Sequence, residues 1–166
     1  ERTIGSCAPG DIVEIYSVSR EYLGTGHFQD GSIAVKIFTF KQQEIDYSFW
    51  KEKIAGAYQL RTLLGLTSSA STTAYRLVFT EGDNLPGLII DWYNGVAVIQ
   101  THSLGMHLIK ADLVNILKEI YDEVLKAVYD KSSETTILSA PQSNDEGDKV
   151  RGNRIKDGYL FGLPQS

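Results

Sequence analysis

One stretch divides this chain and limits what it can fold into. Between Asp46 and Gly65 the apolar residues Trp50, Ile54, Ala57, Leu60 and Leu64 recur at helical spacing. Asp46 suits an N-cap, because a carboxylate accepts the orphan N–H groups of a first turn. Gly65 suits the position just past the end, where left-handed backbone favours a residue without Cβ. Arg61 stands in the middle of the apolar stripe. On both sides of this helix the pattern changes to strand-like runs, so the helix separates two β-rich units.

Before the helix, Asp11 to Val18 alternates Ile12, Glu14 and Tyr16 against Val13, Ile15 and Ser17. Ser19-Arg20-Glu21 makes a turn, Tyr22 to Phe28 returns, and Gln29-Asp30-Gly31-Ser32 turns into Ile33 to Phe40. Three short hairpin-connected strands predict a small barrel or meander. After the helix, Thr67 to Thr73 is nearly all Ser and Thr and reads as a linker. Strands are expected over Tyr75–Thr80 and Leu88–Tyr93, then across the type I′ signal Asn94-Gly95 into Val96–Thr101. One long amphipathic helix follows, with Ile109, Leu113, Ile116, Leu117, Ile120 and Val124 on one face. Ala127 to Asp130 either extends it or forms a strand. Ser132 to Asp157 is polar and aperiodic, a connector.

The composition, 42% hydrophobic and 22% charged, is that of a globular chain. No apolar run is long enough to span a bilayer, so no membrane partner is expected. The single cysteine, Cys7, excludes an internal disulfide and fits a reducing, cytoplasmic setting. A net charge of -5 argues against a self-sufficient nucleic-acid binder unless basic residues cluster locally. The chain opens on Glu1 and closes on Leu163-Pro164-Gln165-Ser166, which reads as a piece of something longer.

No complete catalytic, cofactor or metal site is expected in these residues. The one Gly-x-Gly, Gly24-Thr25-Gly26, falls inside a strand with no helix start behind it, so a bulge or tight twist explains it better than a phosphate loop. His102 and His107 lack zinc-ligand spacing, and Cys7 has no histidine nearby in sequence. Glu81 and Asp83, in Glu81-Gly82-Asp83-Asn84-Leu85-Pro86-Gly87, offer a cation site or an acid–base pair. A structured turn is preferred: Pro86-Gly87 suits type II, and Asp83 can take up backbone amides. Arg61 either forms an interior ion pair or reaches for a phosphate, with the structural role preferred.

Several segments resemble a known family. Gly10-Asp11-Ile12-Val13-Glu14-Ile15-Tyr16 with Leu23-Gly24-Thr25-Gly26 resembles a PUA-type RNA-binding barrel, and Ile45-Asp46, Phe49-Trp50 and Leu60-Arg61 its following helix. Tyr75-Arg76-Leu77, Glu81, Asp83, Leu85-Pro86-Gly87-Leu88-Ile89, Asp91 and Tyr93 make the most specific match. Together, from about Gly10 to Asp130, they resemble the front half of the class I S-adenosylmethionine-dependent large-subunit ribosomal-RNA cytosine-C5 methyltransferases. The His-Pro-Trp-type opening of that family is missing, so the barrel is expected to be partial.

The resemblance implies an α+β fold. A partial PUA-like barrel with its trailing helix would occupy 1–66, a linker 67–74, a strand-strand-helix-strand-strand (EEHEE) sandwich 75–131, and a connector 132–166. A Rossmann-like catalytic domain is expected to be absent, so the fragment alone would be inactive. The implied role is RNA binding and substrate positioning for a parent enzyme that uses S-adenosylmethionine. Partners would be ribosomal RNA, the parent's own C-terminal methyltransferase domain, and a second copy of the chain. Arg20, Lys36, Lys41, Arg61 and Arg76 are the expected RNA contacts; Glu81, Asp83, Pro86, Gly87 and Asp91 form the structural motif. The alternatives are a stand-alone PUA-like RNA-binding module, or a dimerisation or interaction unit without enzyme activity.

Overall fold

The computed structural model describes residues 5–69, 71–132 and 157–162. The first sheet is an antiparallel meander of β1 (Ile12–Tyr16), β2 (Tyr22–Phe28) and β3 (Val35–Thr39). Its strands lie where the alternation predicts them, trimmed by one to two residues at the ends of β1 and β3. The ladder between β2 and β3 slips at Thr25/Gly26. A Cβ on Gly26 would sit 2.4 Å from the Lys36 carbonyl oxygen. The Gly-x-Gly is thus a bulge pressed against its neighbour strand, as the sequence suggests.

Helix α1 (Tyr47–Leu63) begins on Asp46, whose carboxylate accepts the Phe49 N–H at 2.9 Å, and Gly65 follows its end at φ +72°. Its buried residues are Phe49, Trp50, Ile54, Ala57 and Arg61. The stripe is therefore rotated from the one expected, and Leu60 and Leu64 are exposed. The rotation follows from what the helix touches: Phe49 and Trp50 pack on Phe38 of β3, while its later turns face the second sheet.

That second sheet has the order β4 (Ala74–Phe79), β5 (Leu88–Tyr93), β6 (Val96–Thr101), β7 (Ala127–Asp130), β8 (Gly158–Phe161). Asn94 and Gly95, at φ 44° and 98°, make the expected turn between β5 and β6. Strand β7 runs parallel to β6, which settles the ambiguity of Ala127–Asp130. Its crossover is α2 (Leu104–Leu108) and α3 (Lys110–Tyr121), separated at Ile109 where one long helix was expected. Val124, expected on the apolar face, lies in a short 3-10 turn and is exposed. The EEHEE label also needs correction, because three strands precede the helices and two follow. Strand β8 falls inside the stretch read as a connector, most of which, 133–156, lies outside the described residues. Among the described residues no helix is long and apolar enough to cross a membrane.

In β4, Arg76 pairs with Asp91 and Val78 with Ile90, so Leu77 is an inserted residue. The bulge turns both Leu77 and Val78 into the core, where each is fully buried. One hydrophobic cluster runs from Phe38 through Trp50 and Ile54 to Leu77, Ile90, Ile99 and Ile116. Each such aliphatic side chain stabilises the fold by roughly 1.5–3 kcal/mol.

His27 of β2 sits where the two sheets' coverings meet. It stacks on Trp50 at 5.7 Å, and a Cβ on Gly105 of α2 would fall 2.1 Å from its ring. Its Nδ1 has no hydrogen bond among the described residues, and burial pulls its pKa down to about 4. The folded state therefore resists a proton that the unfolded chain accepts at about pH 6.5.

Two outcomes are expected. The His27 contribution should lower stability by roughly 3 kcal/mol as pH drops from 6.5 to 4, and His27→Phe should remove that share of the loss, as read from urea unfolding at each pH. Gly26→Ala should destabilise by about 1–3 kcal/mol through the backbone clash. Gly56→Ala, in α1 where a Cβ meets nothing within 4 Å, should stabilise by roughly 0.5–1 kcal/mol in the same assay.

Candidate nucleic-acid interface

The residues singled out in sequence converge on β4 and the turn after it. Arg61 reaches from the last turn of α1 and forms a two-pronged ion pair with Asp83; its Nη2 donates to Asp83 Oδ2 at 2.8 Å. Its Nε donates to the Arg76 carbonyl at 2.9 Å, and Asp83 also accepts the Phe79 N–H at 2.6 Å. Both side chains are at most 10% exposed. A fork against a carboxylate, with a further bond from each partner to the backbone of β4, is what lets such a pair stay buried. Arg61 is therefore closed to an outside phosphate, which corrects its place among the expected RNA contacts. Asp83 does cap a backbone amide, four residues before it instead of after.

Residues Leu85–Leu88 close a turn, with the Leu88 N–H donating to the Leu85 carbonyl at 3.0 Å and Gly87 at φ +83°. This is the expected type II turn with Pro86 and Gly87 in its centre. A Cβ on Gly87 would sit 2.8 Å from Ser103 Oγ, so the turn also packs against the start of α2. The carboxyl of Glu81 is held below its usual value by hydrogen bonds from Thr80 and its own backbone, with Lys36 and His102 nearby. Among the described residues no three His, Cys, Asp or Glu side chains group as metal ligands.

The other expected contacts are scattered. Arg20 is exposed at the first hairpin, in left-handed backbone at φ 66°. Lys36 on β3 acts electrostatically on Glu81 and His102, and Lys41 on Lys53. Arg76 lies on the opposite face of the sheet from α1. Its Nε and Nη2 donate to Asp91 at 2.8 and 3.1 Å, while its side chain stays 42% exposed. The hydrogen bond to Asp91 raises the guanidinium's affinity for its proton further, outweighing the opposing effect of partial burial. The structure thus brings Arg61 and Arg76 together across β4, while Lys36 acts on Glu81 in the turn after it.

A polar knot that the sequence does not single out ties the ends of β6 and β7. Lys110 pairs with Asp130, Ser132 donates to Asp130, and the Thr101 N–H donates to Ser132 Oγ at 3.0 Å. An aspartate closing an apolar strand was the available signal.

Residues 1–40 match the family model of a PUA-like domain. A Bacillus subtilis protein with a provisional assignment as a ribosomal RNA large subunit methyltransferase is 35% identical over 90% of this chain and 37% of its own length. Ribosomal RNA large subunit methyltransferase I of Pseudoalteromonas atlantica is 37% identical over 80% of this chain and 33% of its own. The chain thus spans about a third of the length of the curated relatives it matches. A solved Streptococcus mutans protein described as a SAM-dependent methyltransferase superposes with TM-score 0.72 at 18% identity, covering 98% of this chain and 37% of that one. At that identity the likeness shows a shared fold. With methyltransferases as its structural neighbours, the chain gives no ground for assigning the protein an absent Rossmann-like domain, and that expectation is withdrawn.

Breaking the Arg61–Asp83 pair from one side should be costly. Asp83→Ala or Arg61→Ala alone should destabilise by about 3–5 kcal/mol, whereas Arg61→Met with Asp83→Leu should lose much less than the two singles together. Urea unfolding of the four proteins measures this cycle.

Proposed function

We propose that this chain is the RNA-binding, substrate-positioning part of a cytoplasmic S-adenosylmethionine-dependent methyltransferase that acts on C5 of a cytosine in large-subunit ribosomal RNA. The observation that carries the reading is identity of 34–37% to ribosomal RNA large subunit methyltransferases across most of the chain. The match of residues 1–40 to a PUA-like domain supports the RNA part. A solved structural neighbour, reported as a methyltransferase complexed with SAH, supports the choice of methyl donor.

The described residues do not themselves fit that cofactor. The only Gly-x-Gly is filled by the chain's own backbone, because Gly26 abuts the Lys36 carbonyl, and β3 rather than a helix follows it. A dinucleotide or nucleoside cradle needs a glycine turn opening onto a helix N-terminus. No chemical step is therefore assigned to these residues. Their contribution is to hold RNA so that one base can leave its stack and reach a reacting centre elsewhere in the protein.

Incubating the full-length gene product with methyl-labelled S-adenosylmethionine and unmodified large-subunit ribosomal RNA should yield 5-methylcytidine in the digested nucleosides. Label at another atom would refute the cytosine-C5 assignment, and no label in any RNA would refute the enzymatic reading.

A further inference from the structure

Helices α1 and α3 cover one face of the five-stranded sheet, and among the described residues nothing covers the other. Alternation along β6 shows this plainly: Ala97, Ile99 and Thr101 are buried, while Val96, Val98 and Gln100 are partly open. Strand register carries one row of side chains straight across the open face, from Arg76 to Asp91, Val98, Tyr129 and Tyr159. Tyr129 and Tyr159 meet edge to face at 5.1 Å, and Tyr159 is 44% exposed. Phe79 and Tyr93, 53% and 52% exposed, flank Arg76 in a shallow depression at the β4–β5 end. The Arg76 guanidinium lies 5.4 Å from the Phe79 ring, and Asp91 holds it through Nε and Nη2, with no bond from Nη1 among the described residues.

We infer that this open face is a stacking platform for unpaired bases of single-stranded RNA, with Tyr93, Phe79 and Tyr159 as the ring contacts and Arg76 as the orienting donor. The inference rests on the proposed RNA substrate and extends it to a surface outside the PUA-like match, on which Arg76 is the one residue already expected to touch RNA. Exposed rings on an open sheet, backed by helices, offer planar apolar area at little entropic cost. Every base has a π-face to place on them. A guanidinium pre-set by a buried carboxylate can donate from Nη1 to a base or phosphate oxygen without being reorganised. A protein partner fits less well. Five strands of four to six residues, at about 4.8 Å spacing and 3.3 Å rise, give a footprint well below the roughly 800 Å² per side of a stable interface. Stacking also reconciles RNA binding with a net charge of -5, because it needs few neutralised phosphates.

The test is fluorescence anisotropy of the full-length protein with a fluorescein-labelled 12-nucleotide single-stranded RNA and with the same sequence as a blunt duplex. Tyr93→Ala and Tyr159→Ala should each weaken single-strand binding about 5- to 100-fold, while Tyr93→Phe and Tyr159→Phe stay within about twofold. The log–log salt slope should be shallow, near the -0.7 expected for one neutralised phosphate on a single strand. Unchanged affinity in the alanine variants, or a steep slope that disappears with Arg20, Lys36 and Lys41, would place RNA on the first sheet and overturn the inference. So would sedimentation showing a dimer that Tyr93→Ala dissociates. If the variants lose single-strand binding while no methylated nucleoside forms, the platform stands and the proposed enzyme falls. Methylation with unaltered variant binding gives the reverse.

Discussion

The buried pair of Arg61 and Asp83 organises more of this structure than any apolar contact does. It fixes the end of α1 against β4, and through Arg61 Nε it also holds the strand's backbone at Arg76. Asp83 simultaneously sets the 3-10 turn after β4 by taking the Phe79 amide. That turn leads directly into Leu85–Leu88 and so determines where β5 enters the sheet. Charged groups taken out of water need partners for the donors and acceptors they bring, and this pair adds two backbone groups of β4 to its own fork. The same demand fixes the register of Arg76 with Asp91 on the far face, so one side of β4 is locked from within and the other presents a guanidinium outward.

A second constraint is steric. Gly105 lets α2 approach the His27 ring, and His27 in turn stacks on Trp50 of α1. Three elements, β2, α1 and α2, meet on one imidazole that accepts no proton near neutrality. Trp92 stacking on Tyr121 at 3.9 Å, and the Tyr75–Tyr121 hydroxyl contact, play the matching role on the α3 side. His27 and Trp50 thus join β2 to α1, while Trp92, Tyr75 and Tyr121 tie the second sheet to α3.

Local chemistry was the legible part of the sequence. Asp46, Gly65, Asn94-Gly95 and Pro86-Gly87 each act over a few residues, and the structure places each of them in the predicted cap or turn. What periodicity misjudged depended on distant partners. Leu60 and Leu64 fit the helical period as well as Phe49 and Arg61 do. Only the positions of β3 and of Asp83, 22 residues further on, decide which set is buried. Strand β8 is four residues long and has meaning only beside β7. The open face was hidden for a related reason, since Tyr93, Tyr129 and Tyr159 belong to three strands and fall on one face only once the parallel crossover is known. Charge-based reading pointed to lysines and arginines, and it had no means of telling a spoken-for arginine such as Arg61 from an available one.

The continuous core has a consequence for the serine- and threonine-rich stretch that joins the two sheets. Because Ile54 and Ala57 of α1 share one cluster with Leu77 and Ile116, a protease cutting between Leu66 and Ala74 would make a nick, not a separation. The two pieces would stay together as a non-covalent complex and melt in one transition. Neither, expressed alone, would have anything to place against its uncovered apolar surface.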